Sequence, residues 1–155
     1  MPIATGIPAP EFSTTDETGT IRSLSEFRGH PVVLYFYPKD DTPGCTTEAC
    51  NFRDDCSDYS KAGVTILGVS PDSSSSHAKF KAKYGLPFTL LADTEHKVCE
   101  LYSVWGLKKN YGREYMGVFR TTYLIDEQGK IVHVFENVKP AGHSAEILEK
   151  LKVSR

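Results

Sequence analysis

A chain of 155 residues with 39% hydrophobic and 25% charged side chains and a formal net charge of −2 has the make-up of one soluble globular domain, not of a disordered or fibrous chain. Its longest apolar run, Val32 to Tyr37, is far shorter than the roughly 20 residues that span a bilayer, so no membrane segment is expected. Lysine and arginine total 18 against 20 acids, which argues against a nucleic-acid partner; the densest basic stretches, Lys79–Lys83 and Leu107–Lys109, read as solvated faces.

The opening MPIATGIPAP lacks the basic start and apolar stretch of a secretory signal, which points to the cytoplasm. In a reducing compartment, four cysteines in a domain of this size speak for redox or metal chemistry, not for a disulfide framework.

In chain order, residues 12–15 and 20–22 flank the turn DETG and suggest an N-terminal β-hairpin. Apolar runs at 32–37, 64–70 and 88–93 alternate with helix-like segments at 43–62, 74–84 and 94–101, the β–α–β order of parallel strands covered by helices. Serines before His77 and Gly85 after Tyr84 supply caps for the second helix, and Thr94 for the third. Residues 105–119 contain three glycines and no clean period, and read as a long loop. The runs RTTYLID and KIVHVFENV around EQG form a second hairpin, which makes the sheet mixed, and a last helix covers 144–151. No internal repeat is present.

Chemistry concentrates in the stretch PKDDTPGCTTEAC, residues 38–50. Thr42 suits an N-cap and Pro43 the first helical position, which places Cys45 in the first turn. Unpaired N–H groups and the helix dipole concentrate positive charge there and favour a thiolate, so Cys45 is a candidate nucleophile. The plainer alternative is a small buried hydrophobe, but the surrounding residues are turn and cap types, and Cys50 follows. Five helical residues separate Cα atoms by roughly 8.7 Å, whereas a disulfide needs less than about 7 Å. A Cys45–Cys50 bond therefore requires the first turns of the helix to unwind. Structural zinc sites carry cysteines at closer spacing in two groups, and thioredoxin-type dithiols use Cys-x-x-Cys; neither pattern occurs. The five histidines, His30, His77, His96, His133 and His143, show no catalytic spacing, and most read as surface or capping residues.

Pro38, Thr42 and Cys45 meet the pattern Pro-x-x-x-Thr-x-x-Cys, and with TPGCTTEAC, VCELYSVWG and FRTTYLIDEQGKI the chain resembles a peroxiredoxin of the Q type, also called bacterioferritin-comigratory proteins. The resemblance covers nearly the whole chain. It implies an α/β thioredoxin-like fold in one domain over residues 1–155, with a central mixed β-sheet flanked by helices, and a monomer. It also implies a thiol peroxidase in which Cys45 attacks the hydroperoxide and Cys50 resolves the sulfenic acid. Thr42 and Arg120 engage the peroxide, Pro38 shields the thiolate and Glu48 orients Arg120. The plainer role for Glu48 is to complement the helix dipole. The expected reductant is thioredoxin or a similar dithiol, and no cofactor or metal is required. Cys56 is expected in the core, with Cys99 the resolver should Cys50 be idle. The rival reading is a non-enzymatic thiol redox switch or interaction module on the same fold.

Overall fold

The computed structural model describes residues 3–154. Its strands are β1 (Ser13–Asp16), β2 (Ile21–Ser23), β3 (Val32–Phe36), β4 (Thr65–Ser70), β5 (Thr89–Ala92), β6 (Trp105–Asn110), β7 (Arg113–Val118), β8 (Thr121–Ile125) and β9 (Ile131–Phe135). Its α-helices are α1 (Pro43–Asp54), α2 (Cys56–Lys61), α3 (Ser74–Tyr84), α4 (Lys97–Leu101) and α5 (His143–Ser154). Seven strands form one sheet in the order β2-β1-β5-β4-β3-β8-β9. Strands β3, β4 and β5 pair in parallel, while β8 and β9 on one side and β1 and β2 on the other run antiparallel, so the sheet is mixed as expected.

The central strand is an unbroken apolar run because both faces of the sheet are covered. Alternation sends Val33, Tyr35 and Tyr37 to one face, where they meet Cys45, Ala49 and Phe52 of α1, Phe80 of α3 and Ile147 of α5. Val32, Leu34 and Phe36 face the other way, onto Val98 and Cys99 of α4 and onto Tyr102 and Tyr123. Both sides are closed, and β3 is held at the middle. Its C-terminal end is thereby a rigid platform for whatever follows.

The second helix is capped as expected: Ser73 Oγ accepts from the Ser76 N–H at 3.2 Å, and Gly85 ends it in the left-handed region with φ 61°. Three other expectations need correction. The helix expected over 43–62 breaks at Asp55, whose carboxylate is drawn to the Ser144 hydroxyl at 2.8 Å while Tyr59 in α2 donates to Ser144 O. Thr94 does not cap α4; Asp93 does, its two oxygens accepting from the N–H groups of Val98 and Cys99 at 3.0 and 2.8 Å. Residues 105–119 are not a loop but largely a two-stranded hairpin, β6 paired with β7 around Tyr111 and Gly112. Of the five histidines, His77 and His143 are buried and the other three are not.

In the basic stretches Lys79, Lys83 and Lys109 are exposed, as expected, while Lys81 and Lys108 are partly buried. Lys81 pairs with Glu17 and Lys83 with Asp41, and Lys108 donates to Val118 O at 2.9 Å beneath the Phe119 ring. Among the described residues no helix is long and apolar enough to cross a membrane.

Candidate active site

Strand β3 stops at its C-terminal end because Pro38 has no N–H to continue a ladder; the Tyr37 N–H makes the last bond, to Val69 O at 3.0 Å. Pro38 opens a five-residue loop to α1. Asp41 in this loop has φ 57°, a left-handed conformation uncommon for non-glycine residues and tolerated best by asparagine and aspartate. Thr42 occupies the N-cap position with extended backbone, and Pro43 is the first helical residue. The Thr42 hydroxyl makes no capping bond, however: it turns back and donates to Lys39 O at 3.0 Å. Cys45 thus sits in the first turn of a helix whose leading N–H groups have no side-chain acceptor from the cap. Its side chain is 1% exposed.

Arg120 reaches this cysteine from the start of β8. One guanidinium nitrogen, Nη2, lies 3.0 Å from Cys45 Sγ, and the other, Nη1, donates to Glu48 Oε1 at 3.1 Å. Cys45 and Glu48 are one helical turn apart on the same face, so one planar fork serves both. Positive charge from the guanidinium and from the helix end converges on Sγ and stabilises negative charge there. Glu48 is itself buried, and its Oε2 has no hydrogen-bond partner among the described residues. Burial pushes its carboxyl up to about 7, and Arg120 pulls against that rise without cancelling it.

Gly44 contributes by lacking a side chain. A Cβ there would stand 2.9 Å from Arg120 Nη2, so any side chain at 44 would push this guanidinium from its place beside Cys45. The one hint in the sequence is a poor helix former inside the first turn. Lys108 is a second cation that composition alone does not reveal. Its ammonium, half-buried at the β7–β8 junction, is held slightly below its ordinary range by burial and by Arg120, while Cys45 acts in the opposite direction.

All four cysteines are reduced. Cys50 is half-buried in α1 and shares the helix with Cys45, as expected. Cys56 belongs to a different helix, the first residue of α2, and is half-buried rather than in the core. Cys99 lies in the core on the opposite face of the sheet from Cys45. Burial first, and the nearby Asp93 carboxylate second, push its thiol far above the usual range. That sets Cys99 apart from any fast thiol chemistry. Pro38, Thr42, Cys45, Glu48, Cys50 and Arg120 therefore gather within the loop, α1 and the edge of β8.

A mixed sheet whose central strand delivers a buried cysteine to a helix N-terminus, with an arginine on its sulfur and a second cysteine in the same helix, defines a thiol-based redox enzyme. Comparison with known proteins narrows the class. Residues 5–134 match the AhpC/TSA family. The chain is 50% identical to peroxiredoxin Bcp of Bacillus subtilis over 152 residues, 98% of this chain and 97% of that protein. It is 52% identical to a putative peroxiredoxin of Coxiella burnetii over 151 residues, covering 97% and 100%. Among solved structures, a mutant of Xanthomonas campestris peroxiredoxin Q superposes with a TM-score of 0.91 at 38% identity, covering 99% of this chain and 100% of that one. A structure of the bacterioferritin comigratory protein from the same organism, concerned with its alkyl peroxide reduction, gives 0.90 at 37% identity, covering 97% and 99%. The chain belongs to the AhpC/TSA family, in its peroxiredoxin branch. It has the thioredoxin-like fold and is a thiol peroxidase.

Proposed function

We propose that Cys45 is the residue that attacks the hydroperoxide and Cys50 the residue that resolves it. The observation that carries this reading is the 3.0 Å approach of Arg120 Nη2 to a buried cysteine at a helix N-terminus. The Cys45 thiolate attacks the terminal oxygen of a hydroperoxide and the O–O bond breaks. The leaving oxygen departs as water or an alcohol after taking a proton, and Cys45 becomes a sulfenic acid. Charge grows on that leaving oxygen, where the Arg120 guanidinium stabilises it, while the Thr42 oxygen, whose own proton goes to Lys39 O, accepts from the hydroperoxide O–H and orients it. Glu48 holds the fork of Arg120 in plane, and Pro38 restricts water at the loop. The thiol of Cys50 then displaces the sulfenic oxygen as water and forms the disulfide.

A dithiol supplies the two electrons and two protons that restore both thiols, and thioredoxin is the reductant the family resemblance favours. The reacting unit is one domain over residues 1–155, of which 1, 2 and 155 lie outside the described residues, and it acts as a cytoplasmic monomer.

The test is turnover. Catalytic amounts of the protein with thioredoxin, its reductase and a reduced nicotinamide should consume hydrogen peroxide and an alkyl hydroperoxide continuously, and Cys45→Ser should abolish this. A single stoichiometric oxidation with no turnover under any dithiol would overturn the peroxidase assignment to these residues and leave a thiol switch.

A further inference from the structure

The loop from Pro38 to Thr42 is tied to α3 at two successive residues, and the inner tie is fully buried. His77 in α3 is 0% exposed. Its Nε2 lies 2.9 Å from Leu91 O, an acceptor with no proton to offer, so Nε2 carries the hydrogen. Its Nδ1 lies 2.7 Å from Asp40 Oδ2. A proton must lie on that line too, or two lone pairs would face each other.

The other partners of Asp40 decide where that proton resides. Oδ1 accepts from the Tyr37 hydroxyl at 2.6 Å and Oδ2 from the Ser76 hydroxyl at 2.7 Å, a donor set suited to a carboxylate. Burial holds the Tyr37 hydroxyl well above its ordinary range, so it remains a donor. A second acid, Asp72, accepts from the Asp40 N–H at 2.7 Å and from the Ser70 hydroxyl at the same distance. Asp72 thereby brings a second carboxylate within 4.8 Å of the ring nitrogen. Farther out, Lys79, Lys83 and Asp41 line the open side of the same cleft. The grouping of Asp40, Asp72 and His77 could be mistaken for a metal site. The carboxylate oxygens nearest the ring are already accepting hydrogen bonds from the protein, and both ring nitrogens face acceptors.

Asp41, next in the chain, makes the outer tie, to Lys83 Nζ and to the Tyr84 hydroxyl, each at 2.7 Å. These two bonds hold a backbone in the left-handed region, which few non-glycine residues adopt. Asp41 stands one residue before Thr42 and four before Cys45.

We propose that His77 is an imidazolium paired with the Asp40 carboxylate, and that this buried pair is a positioning device for the loop that carries Pro38 and Thr42 to Cys45. The proposal rests on the reading of Cys45 as the peroxide-attacking residue, but the charge on the ring does not. Removing the proton would turn the Nδ1 lone pair on Oδ2 and break the buried ring contact, leaving Asp40 held to α3 by the Ser76 hydroxyl alone and free to shift within the loop. The pocket would loosen without any change in the residues that line it.

The test combines Asp40→Ala and Asp40→Asn with the wild-type chain. Long-range proton–nitrogen correlation of the His77 ring at pH 7 should show both nitrogens protonated in the wild type. In Asp40→Asn the ring should be neutral, with the asparagine amide donating to Nδ1 so that the tie persists. The rate at which Cys45 is oxidised by hydrogen peroxide should fall about tenfold or more in Asp40→Ala, as misplacement of reacting groups does, and stay near wild type in Asp40→Asn. Alkylation of Cys45 by iodoacetamide, which needs a reactive sulfur but no positioned peroxide, should change less than about twofold in either variant. A neutral His77 ring in the wild type would overturn the proposal, and so would an Asp40→Ala variant that reacts with peroxide as fast as the parent. A wild-type Cys45 no faster toward peroxide than a free thiol would instead overturn the role given to Cys45, and the ring spectrum would still decide the charge on the pair.

Discussion

Arg120 Nη2 and Cys45 Sγ lie 3.0 Å apart although 75 residues separate them in the chain, and the same guanidinium binds Glu48. The contact exists because β8 pairs with β3, so that Thr121 stands opposite Phe36 at the end of the strand from which the cysteine loop departs. Strand pairing therefore brings the cation to the sulfur.

Arg120→Met should slow oxidation of Cys45 by hydrogen peroxide about 10- to 100-fold, the range expected for losing a hydrogen bond to a charged group worth roughly 1.5–3 kcal/mol. Arg120→Lys should recover only part of this, since one ammonium cannot serve Cys45 and Glu48 in the fork geometry. Rapid-quench alkylation reads both rates, and an Arg120→Met rate equal to wild type would remove the arginine from the reaction.

Gly44→Ala should separate activity from stability. The added Cβ, 2.9 Å from Nη2, meets the far end of a flexible side chain, so the guanidinium shifts and the fold does not. Alanine is also the better helix former, so the unfolding free energy should change by less than about 1 kcal/mol while peroxide reactivity drops severalfold. Urea unfolding measured beside the oxidation rate checks this; a loss of stability with unchanged rate would contradict it.

Glu48 makes stability depend on pH. Its carboxyl is raised from 4.5 to about 7 in the folded protein, chiefly by burial. Between those values the folded state keeps a proton that the unfolded state has released, so the stabilisation is complete below about pH 4.5 and is lost as pH rises through 7. Relative to Glu48→Gln, the wild type should lose about 1–3 kcal/mol between pH 5 and pH 8 in urea unfolding. Parallel curves for the two proteins would show that Glu48 is ionised throughout.

Oxidation should unwind α1 only in part. From Asn51 onward the helix is fixed: Asn51 donates to Pro140 O at 3.3 Å, Arg53 to Tyr84 O at 2.8 Å, and Phe52 is buried against Tyr35 with ring centroids 4.7 Å apart. Amide exchange in the disulfide form should accelerate over residues 44–50 and stay slow from 52 onward. Rapid exchange through residue 54 would mean that the aromatic anchor also gives way.

Much of this site is legible in the sequence because it is local. Pro38, Thr42, Pro43 and Cys45 carry their meaning in spacing and cap chemistry, and the apolar runs of the sheet follow from burial on both faces. What fails to show depends on residues far apart. The break at Asp55 is set by Ser144, 89 residues away. The β6–β7 hairpin turns on Tyr111 and Gly112, both at positive φ, and a tyrosine in that position gives no turn signal. His77 and Asp40 are ordinary polar residues until the fold buries them together. Even Thr42, correctly placed as the cap residue, turns its hydroxyl elsewhere.

The pairing of Cys45 with Cys50 is tested most directly by mass. Reduced protein is treated with one equivalent of hydrogen peroxide, quenched within seconds into denaturant containing the alkylating agent so that buried thiols also react, and digested with trypsin, which leaves both cysteines on the peptide from Asp40 to Arg53. That peptide should lose two hydrogens and escape alkylation, while Cys56 and Cys99 are alkylated in full. Four alkylated thiols, or a bond that joins Cys45 to another peptide, would contradict the assignment.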